Sequence, residues 1–333
     1  MLAMDNGRCL TLAEAPTKVL ETIFKHLGGD DLLNLLAVCR TFNNVIASSN
    51  VLMDKIRLKV HHSIDHVMEI KIIMKTTNRN YQHLSISEYY VYFLQELDYF
   101  DWKSILIEQM TFDKYLLEFL KKFVRTLEEI EFEQVYIDQN GLYTKAAHFP
   151  NLYIFKINGP DDDAIFILST FVRNISQFEE LKMPQAAFGR SYIEFYESYT
   201  KLVKLHLTTA DVSVSSDTEN SLFLMSDSLK ELTMECFENS VMEFIWREMK
   251  VLKKLNIKIQ LHEDNNPRNF NLQDNLNIKE LYIQNKMLPD HIFKEISYAT
   301  PNLETWKFAP IIRKVKTYSL SQFFGYDISK INI

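Results

Sequence analysis

Glycine is scarce in this chain. It has 7 in 333 residues, about 2% against a usual ~7%. That removes the material of phosphate-cradling loops, and neither G-x-G-x-x-G nor G-x-x-x-x-G-K occurs. Cysteine is scarcer still: Cys9, Cys39 and Cys236 lie far apart. They draw neither a disulfide framework nor a zinc spacing, which fits a reducing compartment, cytoplasmic or nuclear. No apolar run nears the ~20 residues of a membrane helix, so no membrane partner is expected. Residues 1–9 show no basic stretch followed by an apolar one, so no secretory signal is expected either. Asn174-Ile175-Ser176 fits a glycosylation acceptor, but without a signal it carries little weight. The net charge is −7, which argues against nucleic acid as a main partner.

Aromatic rings are plentiful, with 23 Phe and 16 Tyr, and the length allows one large or two modest domains. Apolar surface is concentrated near the start. Val19, Leu20, Ile23, Phe24 and Leu27 fall on one stripe of a helix, and Leu32, Leu35, Leu36, Cys39, Phe42 and Ile46 on a stripe of a second. Pro16 suits the first turn of the first helix. Gly28 and Gly29 would end it through a left-handed turn, and Asp30 or Asp31 would cap the next. Fewer than ~40 residues rarely make an independent core. The surplus apolar face of this helical hairpin must meet the rest of the chain or a partner.

The order of parts resembles an F-box over roughly residues 12–50. Pro16, Val19, Leu20, Ile23, Leu27, Leu32, Leu33, Val38, Cys39, Arg40 and Phe42 carry the resemblance. Ala15 stands where the family has Leu, Lys18 where an acid is usual, and Phe42 where Trp is commonest. The resemblance implies docking onto the Skp-type adaptor of a cullin–RING ubiquitin ligase. Pro16, Leu20, Ile23, Leu27, Leu32, Val38, Cys39 and Phe42 are the residues expected to carry that contact.

From about residue 81 the chain repeats. An apolar residue, two variable ones, an apolar, one variable and another apolar recur around Leu84, Ile105, Ile130, Phe155, Leu181, Leu205, Leu232, Leu255, Leu281 and Trp306. The spacing falls in the ~20–29 residue range of leucine-rich repeats. Helical patterns lie between, at 115–123, 164–175, 193–203, 241–252 and 291–299. Pro150 and Pro301 mark helix-to-strand junctions. The expected class is α/β: an F-box hairpin at 12–50, a helical connector at 51–80, and an irregular repeat solenoid at 81–308 with a cap at 309–333. The solenoid would be a horseshoe with its parallel sheet on the concave face. The Asn that often closes such turns is missing. Met110, Val135, Pro160, Ala186, Ala210, Phe237, Gln260 and Lys286 stand there, so the turn backbone must be satisfied another way.

Candidate chemistry is thin. His62 and His66 share a helix face near His61 and Asp65, but no third or fourth ligand is spaced to join them. Asp161-Asp162-Asp163 read as helix-start acids rather than a cation site. Cys39 has no His or Asp partner and reads as a small apolar residue. Glu129, Glu131 and Glu133 alternate on one strand and suit a basic partner better than acid–base catalysis, which needs an enclosed pocket. A hydrolase would need a nucleophile, a base and a Gly-lined turn, which the sequence does not offer. No cofactor is implied.

Side chains flanking each inner apolar residue share one sheet face. Glu129, Glu131, Glu133, Lys156, Lys182, Lys204, His206, Glu231, Glu235, Lys258 and Tyr282 are the residues expected to hold a target protein. The sequence thus suggests a non-catalytic substrate receptor of a ubiquitin ligase. The alternative is a leucine-rich scaffold with the hairpin as its amino-terminal cap. Exposure discriminates the two: Pro16, Leu32 and Val38 should be open to solvent if an adaptor docks.

Overall fold

The computed structural model describes residues 11–60, 77, 79–87, 94, 97, 100–138, 147–188, 201–208, 217–236, 239–259, 272–285 and 290–310. The chain divides into two compact units, one of residues 1–144 with 149–151, the other of 145–148 with 152–333. The division falls inside the run of repeats, not at its start. The histidine cluster at 61–66, the helical pattern at 193–203 up to residue 200, and the expected cap beyond residue 310 lie outside the described residues.

The first unit opens with helices α1 (Thr17–Phe24), α2 (Gly29–Val38), α3 (Arg40–Ser48) and the short α4 (Asn50–Met53). The expected two-helix hairpin is therefore corrected: the second apolar stripe is carried by two helices. Cys39 is extended, with φ −157° and ψ 162°, and serves as the end of α2 and the cap of α3. The break is held because the Asn43 side chain donates to the freed Leu36 carbonyl at 3.1 Å. Phe24 of α1 and Phe42 of α3 meet edge-to-face at 5.2 Å between centroids, a favoured aromatic geometry. Leu20, Leu32, Leu36, Val45 and Ile46 complete the core.

The glycines act differently from expectation. Pro16 caps α1 rather than sitting inside it, and α1 ends at Phe24 without a left-handed glycine. Gly28, at φ −76°, is the cap of α2. Gly29 is needed for closeness: a Cβ there would collide with the Lys55 carbonyl. Lys55 in turn donates its ammonium to the Lys25 carbonyl and, at 3.2 Å, to that of Leu27. These are orphan acceptors at the end of α1.

Strands follow: β1 (Arg57–Val60), β2 (His83–Ser87), β3 (Ser104–Glu108) and β5 (Glu129–Glu133). They pair in parallel, in that order, with Leu58, Leu84, Ile105 and Ile130 in register. β1 corrects the expected helical connector at 51–80, which holds a short helix and then a strand. A two-strand parallel ladder, β4 (Thr111–Phe112) with β6 (Tyr136–Ile137), lies after the turns. Helix α5 (Lys114–Lys121) starts where Asp113 Oδ1 accepts from the amides of Tyr115 and Leu116 at 3.0 and 2.8 Å, a strong N-cap.

The second unit holds seven parallel strands: β7 (Ile154–Asn158), β8 (Glu180–Pro184), β9 (Lys204–Thr208), β10 (Glu231–Cys236), β11 (Lys254–Ile259), β12 (Glu280–Asn285) and β13 (Thr305–Pro310). Phe155, Leu181, Leu205, Leu232, Leu255, Leu281 and Trp306 stand in one register column. The repeat read from sequence and the pairing therefore coincide at every centre in this unit. Helices α6 (Asp161–Thr170), α7 (Asp217–Phe223), α8 (Asn239–Glu248) and α9 (Asp290–Ala299) occupy the crossovers. Asp161, Asp162 and Asp163 lie in the first turn of α6, as their reading as helix-start acids requires. Aromatic rings tie crossovers to strands: Phe155 stacks on Phe178 at 5.3 Å and Phe293 on Trp306 at 5.9 Å.

The missing Asn is replaced by amides at another corner. Four residues before the strand centres, Asn151, Gln177, Asn277 and Asn302 donate side-chain amides to the carbonyls of Arg125, Leu152, Lys250 and Leu276. Each bond reaches back about one repeat. After β3 and β5 the turns use Gln109 and Gln134, both at φ 51°. There the Gln109 amide donates to the Glu133 carbonyl at 2.9 Å and its side chain to Gln134 Oε1 at 3.1 Å.

The close approach at Gly29 yields a prediction. Gly29→Ala forces α2 away from Lys55 and should cost about 1–3 kcal/mol, as overpacking does. Thermal unfolding checks it. Gly28→Ala, whose added Cβ meets nothing nearer than 3.8 Å, should cost much less.

Candidate functional site

Two surfaces hold the residues singled out from sequence. The first is on the amino-terminal helices. Pro16, Val19 and Ile23 recur at i, i+3 and i+7 and so share one face of α1, and all three are exposed, Val19 at 45% and Ile23 at 41%. Leu20 and Phe24, one step round the helix, are buried. Val38, at the end of α2, is 63% exposed, and Leu27 and Cys39 are half-buried. Pro16 and Val38 thus meet the exposure expected of an adaptor contact.

Leu32 does not meet it. Together with Leu20 and Phe42 it is buried among the helices, which corrects three of the eight expected contact residues. These three hold the helices together, and a partner meets none of them in this conformation. Val19 and Leu12 are exposed apolar residues that the expected set left out. Helical periodicity marks an apolar stripe but does not say which half of it the chain itself covers.

The second surface is the polar face of the strands, and in the second unit its register sorts it into rows. One row reads Ile154, Glu180, Lys204, Glu231, Lys254, Glu280, Thr305. Its five charges alternate in sign. Lys204 lies 3.9 Å from Glu180 and 3.7 Å from Glu231, and Lys254 lies 3.6 Å from Glu280. Opposite charges directly across strands stabilise by about 0.2–1 kcal/mol each. This row satisfies itself, so Lys204 and Glu231 have a structural task.

The next row reads Lys156, Lys182, His206, Thr233, Asn256, Tyr282, Lys307. Here cations are neighbours. Lys156 reaches sideways to Glu180 at 3.3 Å. Burial and the Lys182 ammonium hold the His206 imidazole below its usual range, with Lys156 adding to the effect and Glu180 opposing it. A depressed His pKa means that the unfolded chain protonates first. Its contribution to stability is present above the ordinary value near 6.5 and is lost as pH falls through it.

Glu235 is corrected. It is 2% exposed and lies 2.5 Å from Lys258, which is 33% exposed. The β9–β10 ladder runs to His206 opposite Thr233. Beyond it the Gln185 side chain pairs with both backbone groups of Glu235, donating to its carbonyl at 2.8 Å and accepting from its amide at 3.0 Å. A strand end that lacks a neighbour is thus closed by a side chain. Glu235 is part of that closure, and Gln185 carries no sequence signal that would reveal the role.

In the first unit, Glu129, Glu131 and Glu133 alternate with buried Ile130 and Phe132 as expected. Glu133 lies opposite Glu108 in the ladder, and Glu108 accepts from Ser85 Oγ at 2.8 Å. At the other end, Arg57 donates to Ser104 Oγ at 3.2 Å. The acidic stripe is present as a set of half-buried carboxylates.

A family model described as F-box-like matches residues 14–59. The match takes in all four amino-terminal helices and reaches Lys59 of β1, further than the resemblance at 12–50 extends. No curated protein matches the chain. The amino-terminal helices therefore form an F-box-like domain, and a mostly parallel α/β arrangement follows it.

The closure at Glu235 can be checked by a charge cycle. Lys258→Ala leaves a buried carboxylate without its nearby ammonium and should cost about 1–3 kcal/mol, less than a fully buried pair because Lys258 is partly in water. Adding Glu235→Gln should recover much of the loss. Denaturant melts of both variants decide it, and additive losses would show that the two side chains act independently.

Proposed function

We propose that the chain is a substrate receptor of a cullin–RING ubiquitin ligase. Its F-box-like domain docks a Skp-type adaptor, and its strand-and-helix units, read as leucine-rich repeats of an irregular solenoid, hold a target protein. F-box domains in general bind adaptors of that type. The observation that carries the reading is the exposed apolar set Pro16, Val19, Ile23 and Val38 within residues 14–59. Such residues in water favour a partner's apolar groove.

The receptor itself performs no chemistry in this reading. It raises the effective concentration of target lysines near a partner enzyme and needs no cofactor. A reducing compartment, cytoplasm or nucleus, is its setting. Glu129, Glu131 and Glu133 offer one target-facing stripe and the second-unit rows another.

The competing role, a cap for the first strand, has its own support. Asp30 of α2 pairs with Lys59 of β1 at 3.1 Å, and Gly29 packs on the Lys55 carbonyl. Capping and docking fall on different residues, so one domain can do both. Capping uses Gly29, Asp30 and Lys55, and docking uses the outer stripe.

Co-purification with a Skp-type adaptor tests the proposal. Wild type should retain the adaptor. Val38→Glu or Ile23→Glu should weaken it about tenfold or more, since each sets a charge into an apolar contact, with little change in melting temperature. Leu20→Ala should lower the melting temperature instead, by the equivalent of about 2–5 kcal/mol. A wild type that retains no adaptor under mild conditions sinks the ligase reading.

A further inference from the structure

We infer that Lys156, Lys182 and His206, neighbours in one row across β7, β8 and β9, are where the chain grips an acidic segment of its target, a carboxylate-rich stretch of polypeptide. The inference rests on reading the repeat face as the target-binding surface.

The first argument is the contrast between rows. In the row through Glu180, Lys204, Glu231, Lys254 and Glu280 every charged neighbour is of opposite sign. Two residues further along the same strands, Lys156 stands opposite Lys182, and Lys182 opposite His206. Like charges directly across strands destabilise a sheet. The alternating row shows that this sheet accommodates carboxylates between its lysines, so the cationic run is a cost that folding does not explain.

The second argument is the disposition of the surrounding charge. The charged groups on this face around His206 are Lys156 on β7, Glu180 and Lys182 on β8, Lys204 on β9, Glu231 and Glu235 on β10, and Lys258 on β11. Glu180 is shared by Lys156 and Lys204, Glu231 is engaged by Lys204, and Glu235 by Lys258. Each of the three carboxylates thus answers a lysine already, and the row beyond, Asn158, Pro184 and Thr208, carries no charge. The field at the imidazole is net repulsive to a proton, since two lysines outweigh Glu180. A carboxylate placed there relieves that field and raises the proton affinity of His206. Binding therefore takes up a proton and tightens as pH falls.

The chemistry favours an acidic polypeptide over nucleic acid. The chain carries a net charge of −7, and Glu180 and Glu231 lie one row from the cations. A continuous phosphate backbone would meet those carboxylates, whereas a segment with spaced acidic side chains can avoid them.

The test uses the full chain and three probes: a fluorescein-labelled peptide with glutamate at alternate positions, its alanine counterpart, and labelled oligothymidylate. Anisotropy is read at about pH 7.5 and about pH 5.5, where lysines stay charged and peptide glutamates, near 4.3, stay ionised. Wild type should bind the glutamate peptide, several-fold tighter at the lower pH. Lys182→Gln should weaken it about threefold, with a melting temperature equal to or above wild type because a like-charge contact is relieved. His206→Gln should keep the binding at the higher pH and lose its pH dependence. Equal binding of the alanine peptide, or no effect of Lys182→Gln, overturns the inference. Oligothymidylate bound through the same residues reassigns the row to nucleic acid and overturns it too. Adaptor retention is measured in parallel. A wild type that holds the acidic peptide but no adaptor upholds the acidic grip and removes the ligase reading, and the reverse pattern removes only the grip.

Discussion

Parallel pairing is the constraint from which the rest of this structure follows. Two parallel strands cannot be joined by a tight turn, and each needs a crossover of a dozen residues or more. A period near 25 residues supplies a five- or six-residue strand and a crossover long enough for one helix of eight to ten residues. Because the period is nearly constant, the central apolar residue of one strand lands beside that of the next, as in the column from Phe155 to Trp306. That column must be covered, and rings such as Phe178 and Phe293 cover it from the crossovers. The corners must also satisfy their carbonyls. Side-chain amides of Asn151, Gln177, Asn277 and Asn302 do so, each on a carbonyl roughly one repeat back. The chemistry of an amide ladder is kept while its position in the repeat has moved.

This explains what could be read from sequence and what could not. The strand centres were legible because burial demands an apolar residue at each, and the demand recurs with the period. β1 was not legible by the same rule, although Leu58 lies 26 residues before Leu84. The first apolar position of its unit is occupied by Lys55, whose ammonium serves the end of α1. A residue recruited to a neighbouring element breaks the pattern without breaking the strand. The break between α2 and α3 was hidden for the opposite reason. Leu32, Leu35, Leu36, Cys39, Phe42 and Ile46 keep one helical stripe through it, so the period carries on where the backbone does not.

The polar face teaches a related lesson. Alternation along one strand says only that Glu231 and Glu235 point the same way. It does not distinguish Glu231, half-exposed in a ladder of alternating charge, from Glu235, enclosed by Lys258 and Gln185. The difference arises from neighbours 20 to 50 residues distant in sequence, and only the register brings them into view. Charges that alternate across strands offset one another and are explained by the fold. Charges that repeat across strands, as at Lys156 and Lys182, oppose the fold.

The same separation applies to the amino-terminal helices. Val19 and Leu20 are adjacent in sequence and alike in chemistry, yet one is 45% exposed and the other fully buried. A domain of this size can bury only part of an apolar stripe against itself. Leu20, Phe24, Leu32 and Phe42 are the part it buries, and they fix the geometry of α1 to α3. Pro16, Val19, Ile23 and Val38 are the part left over, and their placement depends on the first set. A substitution in the core therefore disturbs docking indirectly, through the fold, whereas a substitution in the outer set leaves the fold standing. The surplus that made this segment conspicuous as sequence is thus resolved into a core that positions and a surface that is positioned.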